Sequence, residues 1–527
     1  MTAPLRSFTD DGPWEVRPDA MAWRAGLDGV RAEARARVPG LVRRRRLPPV
    51  GRLAVTAAVL VLAVAGWAAT ERRRGATVSR TGISRRLRRA CERLGPTYIK
   101  LGQVISAGQG ILPDELVAEF GLLRDRVPAE PYEQVRRVVE EAFGRSLDEV
   151  FGRFDPTPVA AASIAQVHLA TLASGAEVAV KVQRPGIGRA VRRDLAVMAW
   201  LAPLLARRLD VLQVVNLPAV IELFAETVVE ELDFRLEAEN MLDIAVVLDR
   251  AGQGSIVVPR PHPALVTERV LVMERMEGFA FSDVAGMRAA GVDTAGVVRA
   301  CLVSVLEGAM IYGVFHGDLH GGNLLVRRDG RVALLDYGIT GRLDDRRRTV
   351  FLRMLLAAMA GDHRAVLAGY QQLGAIPAGA DLDAFMAEIP VDRPVGAGAD
   401  GDEMVAEMRR VTKALVRHGT RLPKELMLFM KDFMFIDGAI GTLAPDLDVL
   451  GEMLEVSQYF LGRHGARIAS EIGSDAAGVE LDPSSWAVSM GVEESRRSLT
   501  HTEIRHQRKE LRATLSRAER RRGRRAR

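Results

Sequence analysis

The stretch His316-Gly-Asp-Leu-His-Gly-Gly-Asn323 is followed, thirteen residues on, by Asp336-Tyr-Gly338. An Asp with an Asn five residues later, then an apolar run, a turn and a second Asp before Gly, is half of a kinase-type phosphoryl-transfer site. In such a site Asp318 orients or deprotonates the attacking hydroxyl. Asn323 and Asp336 offer hard oxygen ligands to the magnesium ions that bridge the phosphates. Those three side chains must converge, so strands are expected at Leu324–Val326 and Val332–Leu335, joined through the turn signal Asp329-Gly330. An Asp-rich loop is often only a solvated turn, but the two halves together at this spacing favour the site.

The other half of such a site is a cation on the nucleotide phosphates and a carboxylate that holds it. Val178-Ala-Val-Lys181 has strand alternation that aims the Lys181 ammonium to one face. The run Glu230-Glu-Leu-Asp-Phe-Arg-Leu-Glu237 offers several carboxylates. Asp233 and Glu237, four apart, share a helical face, and Glu231 and Asp233 do not. Upstream of Lys181, in place of a Gly-rich loop, stands Val159-Ala160-Ala161-Ala162-Ser163. Alanine disfavours the positive φ angles of a Gly loop, so this loop should be tighter and more helix-prone, with fewer N–H groups free to wrap a triphosphate.

The elements that must carry these groups come from a chain of 527 residues, 48% hydrophobic, long enough for more than one lobe. Two cysteines, Cys91 and Cys301, give no disulfide framework and fit a reducing, cytosol-facing compartment. The pI near 9.6 comes mostly from Arg near the two ends. Basic arms on a balanced body, with no aromatic or reader motif beside them, do not indicate specific nucleic-acid binding. Lysine is scarce: only Lys100, Lys181, Lys413, Lys424, Lys431 and Lys509 occur, so each marks a place where a compact ammonium could be required.

Residues 1 to 46 mix Pro, Gly, Arg and acidic residues around a short helix near Met21 to Val38, and read as a poorly ordered arm. Leu53 to Ala69 is uncharged and, at roughly 26 Å as a helix, sits at the short limit for crossing a bilayer. It reads either as a membrane helix or as a buried or surface-lying Ala/Val helix. Arginines on both flanks give no orientation, and a single span with a cytosolic site would put the arm outside. Helices broken at Pro follow to Asp155. Strands are expected at Ser163–Thr171, Val178–Gln183 and Val270–Met273, and long helices from Gly188 to Arg208 and from Leu217 to Asp249. Glu274 to Gly278 reads as a hinge, Ala375 to Asp402 as a flexible insertion, and Ser495 to Arg527 as a basic tail suited to solvent or an anionic surface.

Lys100-Leu-Gly-Gln103, Ala160-Ala-Ala-Ser163, Val178-Ala-Val-Lys181, Glu231-Leu-Asp233 and His316 to Asn323, in this order, resemble the UbiB family of atypical kinases. The resemblance runs from about Val78 to Gly451 and includes Arg421-Leu-Pro-Lys-Glu425 and Ala444-Pro-Asp-Leu-Asp448. It implies an α+β, two-lobed protein-kinase-like fold with a small mixed N-lobe, a helical C-lobe and a helical N-terminal extension. It implies that Lys100 and Gln103 point into the nucleotide cleft, that Glu231 and Asp233 engage that extension, and that Glu237 pairs with Lys181. Asp318, Lys181 and Glu237 then serve catalysis, and Asn323 and Asp336 hold Mg2+. Lys100, Gln103, Ala160, Ala161, Ala162, Ser163, Lys181, Glu231 and Asp233 surround ATP or ADP. In this family the alanine loop goes with altered nucleotide preference and suppressed autophosphorylation, so ATP hydrolysis is the activity implied. Two departures stand out. Gly108-Gln-Gly110 replaces an Arg-x-Asp, and a basic tail ends the chain where bacterial relatives often carry membrane helices. His168, His316 and His320 read as hydrogen-bonding scaffold, with no Cys/His cluster that would suggest metal ligation.

The expected division is an arm (1–46), a transmembrane or membrane-anchoring helix (47–72), the extension (78–155), the N-lobe (156–278), the C-lobe (279–460) and a basic tail (461–527). The leading function is a membrane-associated ATPase that supports isoprenoid quinone (ubiquinone or menaquinone) or related lipid metabolism. It would sit at a bacterial inner membrane with its kinase-like domain in the cytosol. Its partners would be nucleotide, membrane or quinone-like lipid, quinone-biosynthesis proteins and a second copy as homodimer. Alternatives are a small-molecule or protein phosphotransferase, since His-Gly-Asp followed by Asn also resembles aminoglycoside-type kinases, and a non-catalytic, nucleotide-bound lipid-binding scaffold.

Overall fold

Strict alternation in Glu177–Gln183 organises the smaller lobe. Val178, Val180 and Val182 are fully buried on one face, and Ala179 and Lys181 look out of the other into a cleft. The computed structural model describes residues 5–44, 47–106, 114–125, 127–206, 217–359, 362–388, 423–472 and 500–503. Four N-terminal helices come first: α1 (Leu27–Leu41), α2 (Val50–Thr70), α3 (Ala76–Leu94) and α4 (Pro96–Ser106). Next are α5 (Asp114–Gly121), α6 (Tyr132–Phe143) and the short α7 (Leu147–Val150), the last closed by a Ser146/Glu149 capping box.

The N-lobe sheet is built from β1 (Phe151–Phe154), β2 (Ala160–Ala161), β3 (Ala165–Leu172), β4 (Glu177–Gln183), β6 (Pro261–Val266) and β7 (Val270–Glu274). Its order is β1-β3-β4-β7-β6, with β2 on β3 and every pairing antiparallel. The valine face of β4 packs on Val135, Val138 and Val139 of α6. Each such burial contributes roughly 1.5–3 kcal/mol. Behind the cleft run α8 (Ile187–Ala206), α9 (Leu217–Glu230) and α10 (Phe234–Arg250). Asp233 caps α10 by accepting from Arg235 N–H, which sets Glu237 in the first turn.

A second sheet, β5-β11-β10-β8, joins β5 (Ile256–Val257), β8 (Phe279–Ala280), β10 (Leu324–Val326) and β11 (Val332–Leu334). The β10–β11 hairpin pairs Leu324 with Leu334, and Gly330 turns it at φ 83°. A two-stranded piece pairs β9 (Val314–His316) with β12 (Thr340–Arg342). The C-lobe is otherwise helical: α11 (Val284–Ala289), α12 (Thr294–Leu306), α13 (Asp345–Met359), α14 (His363–Gln372), α15 (Leu382–Glu388), α16 (Lys424–Leu443) and α17 (Val449–Ile472). This is the two-lobed, mixed kinase-like architecture expected.

Four expectations differ from what is found. Residues 5–44 are not a poorly ordered arm: Phe8, Met21, Trp23 and Leu27 are at most 8% exposed and share a core with Met241, Leu271 and Tyr337. Ser7 O accepts from Val258 N–H, Trp14 Nε1 donates to Pro261 O, and Arg31 pairs with Glu239 at 2.9 Å. Polar composition hid a few apolar anchors that pack at long range. The alanine loop is not helical, because Ala160 and Ala161 pair with Val167 and Gln166 as an edge strand. Ala375 to Glu388 carries the ordered α15, and the remainder of that insertion, the turn at 108–110 and nearly all of Ser495 to Arg527 lie outside the described residues; 461–472, expected in the tail, instead continue α17 and bury His464 and Ile468.

Candidate active site

A cavity of about 780 Å³ lies between the N-lobe sheet and the β10–β11 hairpin, lined by Lys100, Lys181, Glu237, Asp318, Asn323 and Asp336 among others. Lys181 reaches it because its neighbours in register on the adjacent strands, Val167 and Leu271, fix its face. Its Nζ lies 2.6 Å from Glu237 Oε1 and 3.2 Å from Asp336 Oδ1. Burial works against charge on Lys181, but Asp336 and Glu237 outweigh it and hold its pKa above the ordinary lysine range. Burial pushes Glu237 up to about 7 against the pull of that same lysine.

The loop after β9 is held by its own backbone partners. His316 Nε2 donates to Asp336 O at 2.6 Å, and its Nδ1 accepts from Asp318 N–H at 3.2 Å. Burial depresses the His316 pKa, so the neutral ring links the two aspartates as scaffold. Asn323 Nδ2 donates to Asp318 O at 3.1 Å, and Leu335 N–H donates to Asn323 O at 2.9 Å. The residues after Asp336 are tied to α10, where Asn240 Nδ2 donates to Tyr337 O at 2.8 Å. His320 Nδ1 accepts from Gly322 N–H, and His168 bridges Gln166 and Asp155 O, scaffold roles in both cases.

The N-terminal extension closes one side. Lys100 on α4 lies 2.8 Å from Glu231 Oε1, both about 12% exposed or less, and Gln103 lines the same cavity. Asp233 does not meet the expectation of engaging the extension. Its carboxylate is taken by the α10 cap and by Arg235 at 2.6 Å, and it is outside the cavity lining. The residue two positions from Glu231 lies past the end of α9, where the chain turns into α10. Ala160, Ala161, Ala162 and Ser163 do line the cavity. Ala162 N–H donates to Ala165 O, and its carbonyl accepts from Arg184 Nε, so both backbone polar groups of Ala162 are engaged within the protein.

The ABC1 atypical kinase-like domain matches residues 122–369. An uncharacterized protein of Mycobacterium tuberculosis is 38% identical over 70% of this chain and 76% of its own length. A probable protein kinase UbiB of Marinobacter nauticus is 33% identical over 69% of this chain and 67% of its own length. The chain belongs to the UbiB-type, ABC1-domain family of atypical kinases. A solved M. tuberculosis protein in complex with erythromycin covers 65% of this chain and 91% of that chain, at 23% identity and a TM-score of 0.37. A score that low adds nothing to the assignment.

Two residues of this UbiB-type site carry no motif. Lys431, on α16, pairs with Asp318 Oδ1 and lines the cavity. The next residue, Asp432, is fully buried and accepts from Leu319 N–H at 3.0 Å, which anchors the Asp318 loop from below. The scarcity of lysine was the available signal: Lys100, Lys181 and Lys431 all line the cleft, and Lys424 pairs with Glu230 at 3.4 Å nearby. Burial would raise the Asp318 pKa, but Lys431, Lys100 and His320 hold it far below the usual carboxylate range. Asp336 is likewise depressed, with Lys181 and the Gly338 N–H outweighing its burial.

Magnesium fits this donor set. Among the described residues no group of three or more His, Cys, Asp or Glu side chains forms a self-sufficient metal cluster. Magnesium typically takes one or two protein oxygens and completes its octahedron with phosphate and water. Asn323, whose Nδ2 is already engaged, has its Oδ1 to offer, and Asp336 has its second carboxylate oxygen.

Proposed function

We propose that this UbiB-type protein is a membrane-associated ATPase that binds ATP with magnesium in the cleft and whose turnover supports isoprenoid quinone or related lipid metabolism. What carries this reading is the convergence on one cavity of the Lys181–Glu237 pair with Asp318, Asn323 and Asp336.

In this reading Lys181, held by Glu237, receives the nucleotide phosphates. Asn323 and Asp336 hold the magnesium, which when bound neutralises phosphate charge. Despite its burial, the Asp318 carboxyl is held below the usual carboxylate range by Lys431, Lys100 and His320, which keep it an ionised acceptor. It acts by accepting a hydrogen bond through its free oxygen and aligning the attacking oxygen. Lys100, paired with Glu231, lies close enough to Asp318 to feel its charge and crowds that part of the cleft. That crowding, together with the alanine hairpin, supports water over a protein hydroxyl as acceptor. Membrane association is supported by α2, whose apolar side chains are largely solvent-facing. The second apolar helix, Thr294–Tyr312, is 61% buried and packs as a core helix. A cytosol-facing inner-membrane location fits two free, buried or half-buried cysteines.

The test of the pathway is lipid and metabolite profiling of a strain whose only copy is Asp336→Asn. A shift in one isoprenoid quinone pool supports the reading. Unchanged pools with a labelled phosphorylated product from ATP would replace it with phosphotransfer.

A further inference from the structure

The chain before α2 and the chain after it pack against the same body. Phe8, Met21, Trp23 and Leu27 lie in one buried cluster with Met241, Leu271 and Tyr337. Val38 of α1 is buried with Leu94, Leu195 and Phe224. A single crossing at α2 would leave these two segments on opposite sides of about 30 Å of hydrocarbon. A shared core and a single crossing are incompatible.

The helix is also tied along one face. Arg52 pairs with the buried Asp194 at 2.6 Å, and Thr56 Oγ1 meets Tyr98 Oη at 3.1 Å. Trp67 Nε1 donates to Ser79 O at 3.0 Å, and Glu71 just beyond the helix pairs with Arg86 at 2.8 Å. Steps of four, eleven and four residues keep these ties on one side. The other side is apolar and open: Val50 is 71% exposed, Val55 50%, Val61 64% and Leu62 64%. Exposed arginines flank the helix in the chain, Arg43 and Arg44 before it and Arg72, Arg73 and Arg74 after it, and neighbouring α3 carries exposed Arg89 and Arg93. An apolar stripe with clusters of cations at both ends of its helix matches an anionic lipid surface, with the stripe in the acyl boundary and guanidinium groups at the headgroups. The arginine-covered α3 packed beside it could not follow it into hydrocarbon.

We propose that α2 lies in the plane of an anionic bilayer as a one-sided anchor, with residues 5–44 and the kinase-like body on the same side of the membrane. This rests on the membrane association proposed above and changes its topology. The expectation that a span would put the N-terminal segment outside is replaced.

The test uses full-length Asp10→Cys and Asp345→Cys, whose native side chains are 95% and 100% exposed, in inverted inner-membrane vesicles with an impermeant thiol reagent. Background labelling is set by the unsubstituted chain, in which Cys301 is buried and Cys91 is half-buried. Equal labelling at both positions is the expected result. Protection of Asp10→Cys until detergent is added, with Asp345→Cys reacting freely, would mean a crossing and overturn the proposal while leaving membrane association intact. In a second arm the purified chain is sedimented with phosphatidylglycerol-containing and with pure phosphatidylcholine vesicles. Binding to the anionic vesicles alone, lost in Val61→Asp/Leu62→Asp, supports the anchor. Retained binding in that variant overturns it. Absence from both vesicles and the cell membrane fraction overturns the anchor and the membrane association together. If the unbound protein is instead a dimer that the same variant disperses, the face belongs to a second copy and the lipid proposal fails.

Discussion

The Lys431 ammonium is ion-paired with the Asp318 carboxylate inside the cleft, although the two residues are 113 positions apart in sequence. In the proposed reading, the pair leaves one Asp318 oxygen to align the attacking group, and it puts a third lysine in the cleft beside Lys100 and Lys181. Lys431→Met should therefore lower kcat for ATP turnover by roughly 10²-fold, the scale of removing one preorganised electrostatic partner, with little change in nucleotide affinity. Lys431→Arg should not restore the rate, because a planar fork does not replace a compact ammonium. Steady-state kinetics with a separate nucleotide-binding titration checks both.

Glu237, raised to about 7 by burial, gives the site an acid limb. As pH falls through about 7 Glu237 takes a proton and Lys181 loses its charged partner, so turnover should fall. The folding contribution has the opposite sign. A carboxyl with a raised folded pKa favours the folded state below its ordinary range and loses that contribution as pH rises towards about 7. In Glu237→Gln the limb should vanish and the plateau should drop. A pH–rate profile of both proteins distinguishes this from general acid unfolding, which circular dichroism would follow.

These groups were unequally legible in the sequence. Lys181, Asp318, Asn323 and Asp336 stand in short motifs whose spacing encodes a strand face or a hairpin, so local geometry carried them. The hairpin at Leu324 to Leu334 has its turn at Gly330 as read. Spacing left Glu237 one of several carboxylates, and only the family resemblance singled it out; in the structure the Asp233 cap sets the phase of α10 that brings it to Lys181. That same cap removed Asp233 from the cleft. Lys431 could not be placed locally, since it comes from α16, beyond 389–422, and meets Asp318 only through the packing of the C-lobe. Residues 5–44 failed for the same reason. Phe8, Met21, Trp23 and Leu27 show little local periodicity and become core only against α10, the N-lobe strand β7 and the C-lobe.

Burial pushes the Asp432 carboxyl well above the usual range, against the pull of the Leu319 N–H and Lys431. Asp432→Asn keeps an acceptor for Leu319 N–H and should cost less than Asp432→Ala. The alanine leaves that buried donor unpaired, at roughly 1–3 kcal/mol. Wild-type stability should fall as pH rises through the raised pKa, and Asp432→Asn should flatten that slope. Chemical unfolding at several pH values measures it.

Gly278 ends the connection between the lobes and lies against β10. A Cβ there would sit 2.6 Å from Val326 O and 2.9 Å from Val326 C, backbone atoms that cannot rotate away. Gly278→Ala should cost about 1–3 kcal/mol of stability and also slow turnover by shifting the hairpin that carries Asn323. A urea titration and a rate measurement on one preparation test the two effects together.

The proposed assignment of the cleft rests on Asp336, whose Oδ1 meets Lys181 and the Gly338 N–H and whose other oxygen is the one proposed for magnesium. The most direct test is ATP hydrolysis by the purified full-length protein, with and without magnesium, beside Asp336→Asn. Magnesium-dependent phosphate release that disappears in Asp336→Asn, in protein that remains folded, is the expected result. Unchanged turnover in Asp336→Asn would contradict the assignment.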